Sequence, residues 1–145
     1  MRRLLTYATV LFVAMAGTVT VAQKVMNPDQ LDATMKRISA ANGAAQKAVK
    51  SEAFADARTQ VGIVKQALMD AKNFWEMNKK DDAIQISDDA IAGITAVEEA
   101  LSAGSPTVEN VMAAYKQVFG SCTACHNQYR VQNDDMTYSL RPGAI

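Results

Sequence analysis

Residues 106–130 read PTVENVMAAYKQVFGSCTACHNQYR. Val108, Val111, Met112, Tyr115, Val118 and Phe119 recur at steps of three and four, the spacing of one face of an α-helix. The same stripe continues without a break through Cys122, Cys125, His126 and Tyr129. Ser105-Pro106 is the predicted start, because Pro suits the first helical position. One long amphipathic helix is therefore predicted from Ser105-Pro106 into the Cys122–His126 segment, and the rest of the fold must cover its apolar face.

Three earlier segments show the same period. Asn27-Pro28-Asp29-Gln30 has a cap, a Pro and a Gln in the order that opens a helix. Leu31, Met35, Ile38, Ala45 and Val49 follow on one face, so helix 1 is predicted over about residues 28–50, with Gly43 as a weak point. Ser51 is a predicted cap for helix 2 over residues 52–78, whose stripe is Phe54, Ala57, Val61, Val64, Leu68, Ala71 and Trp75. Asp81 is a predicted cap for helix 3 over residues 82–102, with Ile84, Ile91, Ile94, Val97 and Leu101 inward and Gly104 as the stop. No stretch alternates apolar and polar residues as a half-buried strand would. Long helices joined by short connections make neighbours antiparallel, so the expected fold is all-α: an antiparallel up-down-up-down four-helix bundle. Asp81-Asp82 and Asp88-Asp89 read as helix-start charges and a solvated face, and Trp75 and Tyr129 as core.

The ends of the chain read differently. Arg2 and Arg3 precede an uncharged, mostly apolar run from Leu4 to Ala22, and Thr20-Val21-Ala22 puts a small residue before Gln23. Residues 1–22 are read as a secretory signal peptide, with retention as an anchor helix the alternative. After cleavage no stable membrane insertion is expected. Residues 23–131 are expected as the folded domain and 132–145 as a C-terminal tail without chemistry of its own. Export implies a periplasmic location, where two cysteines are permitted to form a disulfide.

Composition excludes several functions. The whole chain carries 15 basic and 15 acidic residues, and no basic excess marks a nucleic-acid partner. Two cysteines and one histidine cannot supply four Cys/His ligands to a structural zinc ion. They do match C-x-x-C-H, the attachment signature of c-type haem, at Cys122, Cys125 and His126. On a helix, positions i, i+3 and i+4 share a face, so two thiols reach two vinyl groups while the imidazole lies under the iron as proximal ligand. One covalent haem c per chain is the expectation, held in the bundle near the C-terminal helix. The alternative reading of C-x-x-C is a disulfide in a structural bundle without haem. A redox thiol pair usually opens a helix in a mixed α/β fold, whereas this pair closes one in an all-α chain.

The segment Gly120 to Arg130, GSCTACHNQYR, resembles the C-terminal haem site of class II cytochromes c, the group of cytochrome c′ and the low-spin cytochrome c-556 type. Met35-Lys36 and Lys50-Ser51-Glu52 resemble that family's Met-Lys and Lys-Gly-Glu in helix 1 and the following turn. The chain departs from the family at Leu31, where an Arg is frequent, and lacks the Phe-Pro and Trp-rich segment between helices 2 and 3. The resemblance implies an exported haem bundle with redox partner proteins, and it admits a homodimer. It also implies that Met35 is the distal residue, an iron ligand in c-556-like members and only a pocket wall in c′-like ones. His/Met ligation suits single-electron transfer. An open sixth position would instead bind a diatomic gas such as nitric oxide or carbon monoxide. Arg130, one turn beyond His126, reads either as a cation near the imidazole or a haem propionate, or as a charge favourable at a helix C-terminus. No general acid or base is in sight, so no enzyme activity is expected.

Overall fold

The structure, a computed structural model, describes residues 24, 25 and 27–145. The signal-peptide reading of residues 1–22 lies outside the described residues. Four helices make a four-helix bundle: α1 Pro28–Lys50, α2 Phe54–Met77, α3 Asp81–Ser102 and α4 Val108–Tyr129. Among the described residues, no helix is long and apolar enough to cross a membrane.

α1 starts and stops where the sequence predicts. The Asn27 side chain accepts from the Gln30 N–H at 2.9 Å, and Pro28 needs no partner for the hydrogen it lacks. Gly43 is passed without a break. The predicted cap of α2 is corrected. Ser51 does not open α2; its backbone N–H and its hydroxyl both donate to the Lys47 carbonyl, so it closes α1 instead. Glu52 then takes a left-handed φ of 58° to reverse the chain, and α2 begins at Phe54 after Ala53, which offers no side-chain cap. A second reversal uses Lys79, at φ 54°, and α3 begins at Asp81 itself. For α4 the cap is Thr107, whose hydroxyl accepts from the Asn110 N–H at 3.2 Å. Pro106 therefore stands before the cap, not in the first turn.

Residues beyond α4 differ most from expectation. Arg130–Gln132 (β1) and Tyr138–Leu140 (β2) pair as an antiparallel hairpin in the register Arg130–Leu140, Val131–Ser139, Gln132–Tyr138. Strands of three residues are too short to show alternation in sequence. The hairpin is set by turn chemistry: Asp135 Oδ1 accepts from the Thr137 N–H at 3.0 Å, and the Asn133 N–H donates to the Thr137 carbonyl at 2.9 Å. Arg141-Pro142-Gly143-Ala144 then forms a turn closed by the Ala144 N–H to the Arg141 carbonyl at 3.0 Å. Gly143 sits at φ 79°, the left-handed position that follows Pro in a type II turn. This turn folds Ala144 back into the core.

Two apolar clusters fill the bundle. The larger joins Ile38, Val49, Val61, Ile94, Leu101, Val111 and Tyr115 across all four helices. The smaller gathers Val25, Leu31, Phe74, Trp75, Ala83, Tyr129 and Ala144 at one end. Met35 packs against both. α3 and α4 approach closely at Gly93, where an added Cβ would lie 3.0 Å from the Val118 backbone nitrogen. α1 and α2 are tied by Arg37, which donates to the buried Asp70 carboxylate; Gln66 donates to the same group at 3.0 Å. Lys65–Glu98 at 2.7 Å and Lys72–Asp88 at 2.6 Å link α2 to α3. Asp88 thus has a partner instead of standing free on a solvated face. The seam between α1 and α4 is packed far more loosely than the other three.

Candidate functional site

The loose α1–α4 seam holds a cavity of about 190 Å³. α4 contributes Phe119, Ser121, Cys122, Cys125 and His126 to its wall. α1 supplies Met35, Ile38, Ser39 and Asn42; α2 supplies Leu68, Ala71 and Trp75; α3 supplies Ser87 and Ala90. Each arrives by helical spacing. Met35 to Ile38 to Asn42 is one face of α1, and Leu68, Ala71 and Trp75 are one face of α2. The wall is mostly apolar.

The structure thus brings Cys122, Cys125, His126 and Met35 to one cavity from opposite sides of its loosest seam. Arg130 is not part of that wall. It ends α4, and its guanidinium lies 4.0 Å from the centre of the Tyr138 ring. Its charge still reaches the site and helps lower the pKa of His126. Phe119, expected on the buried stripe, is 37% exposed at the cavity mouth and stacks on Tyr115 with ring centres 5.6 Å apart. Arg37, given no place by the sequence, is committed to Asp70 and does not line the cavity.

No family model, curated protein or solved structure matches this chain.

Both cysteines are free thiols, partly buried. Burial pushes the Cys125 thiol up to about 11, with Cys122 beside it adding to the effect. Burial likewise raises Cys122. Protonated thiols are weak nucleophiles, so the pair lacks the low pKa of a thiol–disulfide catalyst. Burial first, and then the Arg130 charge, lower the pKa of His126 below its usual 6.5. At neutral pH the imidazole is therefore uncharged, the form that binds iron. Among the described residues, no group of three or more His, Cys, Asp or Glu side chains could hold a bare metal ion.

The donor set fits a haem. Two thiols and an imidazole share one helix face, and a thioether stands on the facing helix within an apolar wall. The volume lies below the ~300 Å³ at the low end for small-molecule pockets. The wall also contains a buried polar atom without a partner, Asn42 Oδ1. Leaving such an atom unpaired costs about 1–3 kcal/mol. Asn42 stands seven residues after Met35, on the same face of α1, and that spacing could have flagged it from sequence.

Tyr129 was expected as a core residue, and it is 5% exposed. Its hydroxyl donates to Asp82 Oδ1, and Gln128 Nε2 donates to Asp82 Oδ2. Asp82 is thus more than a helix-start charge: it fastens the first turn of α3 to the last turn of α4. The Tyr129 hydroxyl holds the Asp82 carboxyl below its usual range, and burial with Asp82 beside it raises Tyr129 to about 12.

Proposed function

We propose that this chain is a periplasmic c-type haem protein that carries single electrons, of the class II cytochrome c type. In this reading the bundle is antiparallel, up-down-up-down, and one haem c lies between α1 and α4 near the C-terminal helix. The short connections at residues 51–53, 78–80 and 103–107 support that order of helices. The leader-like residues 1–22 support export.

A single observation carries the reading: Met35 of α1 and Cys122, Cys125 and His126 of α4 line the same apolar cavity. Cys122 and Cys125 would hold the haem covalently, and His126 and Met35 would ligate its iron. Bound haem supplies a one-electron iron couple, whose potential a Met/His ligand pair raises. Trp75, Leu68, Ile38 and Ala90 exclude water from it, and Arg130 places a positive charge beyond the imidazole. The cavity wall has no carboxylate and no second imidazole.

The test is expression with the periplasmic haem-maturation machinery, followed by a pyridine haemochrome assay and an intact mass. One covalent haem is expected. A chain that folds without haem overturns the reading and leaves the disulfide bundle. Optical spectra then address Met35: a low-spin parent and a high-spin Met35→Ala variant are expected. A parent that is already high-spin and binds carbon monoxide in the ferrous state removes Met35 as ligand and selects the gas-binding alternative.

A further inference from the structure

A second cavity, of about 290 Å³, opens on the surface where α4 ends. Its wall includes Lys80, Asp82, Tyr129 and the turn at residues 141–144. It shares no wall residue with the first cavity. Two aromatic rings nevertheless join them. Trp75, 2% exposed, lines the first cavity. Tyr129 lines the second, and the two ring centres are 4.7 Å apart with planes inclined by 43°. This is the separation of rings in direct contact. The Tyr129 hydroxyl continues the line to Asp82, which lies on the wall of the surface recess. A continuous path of π-systems and one hydrogen bond therefore runs from the apolar cavity to solvent.

The path is built to stay fixed. Tyr129 is held by Asp82 and by Gln128, whose Nε2 donates to the Tyr129 oxygen at 3.3 Å. Phe74 supports Trp75 edge-on at 5.0 Å. Arg141 anchors the recess wall by donating to the carbonyls of Asn127 at 3.1 Å and Arg130 at 3.3 Å.

We propose that Trp75 and Tyr129 are the route by which an electron leaves the buried site for a one-electron acceptor at the surface beside Lys80 and Asp82. The inference rests on the carrier function argued above. In the transfer the carrier's haem iron gives up one electron and the acceptor gains one. Trp75 and Tyr129 keep their oxidation state and protons, acting only as the medium through which the electron tunnels. Electronic coupling decays faster across unfilled space than through packed atoms, so a side chain that fills the line with π-electrons speeds transfer along it. The competing exit is the cavity mouth at Phe119.

The experiment uses the haem-loaded protein, and its haemochrome assay is read first: absent haem overturns the carrier function and this route with it. A ruthenium photosensitiser is attached through Lys80→His at the recess, and in a separate protein through Lys116→His on the exposed face of α4. Flash-induced transfer between label and haem is timed in the parent, in Trp75→Leu and in Tyr129→Phe. Tyr129→Phe keeps the ring, so it guards against a Trp75→Leu protein that fails to fold. A several-fold slowing from the recess label is expected in Trp75→Leu and a smaller slowing in Tyr129→Phe, which loses only the hydroxyl that donates to Asp82, with no change in either variant from the Lys116 label. An unchanged recess rate, or equal slowing from both labels, overturns the route while leaving the haem function intact. An independent readout is the emission of Trp75, the only tryptophan in the chain. It is expected to be strongly quenched in the loaded protein and bright in the haem-free one. Undiminished emission in the loaded protein overturns the route at its first step.

Discussion

Replacing Gly93 by Ala tests the close approach of α3 and α4. The substitution has two opposing effects. Ala is favoured over Gly in a helix interior by about 0.8–1.0 kcal/mol. Its Cβ would also lie 3.0 Å from the Val118 backbone nitrogen, 3.1 Å from Val118 Cγ2 and 3.2 Å from Gln117 Cγ. The nearest atom belongs to the backbone of a neighbouring helix, so relief requires a shift of α4 itself. Overpacking of this kind costs about 1–3 kcal/mol. The net effect is a loss of roughly 0–2 kcal/mol. Gly43 and Gly62 provide the control, since nothing lies within 4 Å of a Cβ at either helical position. Gly43→Ala and Gly62→Ala each gain about 1 kcal/mol from the same propensity effect. That effect cancels in the comparison, so the control variants exceed Gly93→Ala by the overpacking cost alone, about 1–3 kcal/mol. At roughly 4 °C per kcal/mol for a domain of this size, the melting temperatures separate by about 4–12 °C. Thermal unfolding followed by far-UV circular dichroism measures it. A Gly93→Ala protein as stable as the two controls would refute the contact. Val118 is one helical turn before Cys122, so under the proposed haem function a displaced α4 should also alter the visible spectrum.

Two further outcomes follow from the polar contacts. Arg37→Met should leave the buried Asp70 carboxylate, 2% exposed at its side chain, without its counter-charge. The expected loss is about 3 kcal/mol, at the low end for a broken buried pair because the Arg37 side chain is 42% exposed. Urea unfolding measures it, and the double variant with Asp70→Leu should recover most of the loss. The Asp82 pKa, lowered chiefly by the Tyr129 hydroxyl, fixes a pH dependence. As pH falls through the usual value of 3.8 the unfolded chain takes up the proton first, so this contribution is present above that value and is lost as pH drops through the lower folded value. Tyr129→Phe should therefore be less stable than the parent at neutral pH, with a gap that narrows as pH falls below 3.8. A gap constant across that range would show that the carboxylate plays no part.

Much of the helical architecture was legible because it rests on local rules. Asn27-Pro28 opens α1 and Lys50 closes it as read, since capping and periodicity act within one or two turns. The start of α2 was misread because Ser51 has two helices to serve, and the one already formed supplies the carbonyls its hydroxyl reaches. The hairpin was invisible because three-residue strands carry no pattern, and the burial of Ala144 depends on Trp75 and Tyr129, distant in sequence.

The candidate site divides in the same way. The sequence alone determined that two thiols and the only imidazole share one face of the last helix, because an i, i+3, i+4 spacing leaves a helix no other choice. It also nominated Met35, though only by resemblance. Tertiary structure decided that Met35 lines the same cavity as those three residues, that Asn42 joins them, and that Arg130 does not. It decided too that Trp75 and Tyr129 touch, and that Asp82 ends the line at the surface. These are contacts between helices. They depend on how the helices dock and how tightly each seam closes, and no periodicity within one helix encodes the looseness of the seam it shares with another.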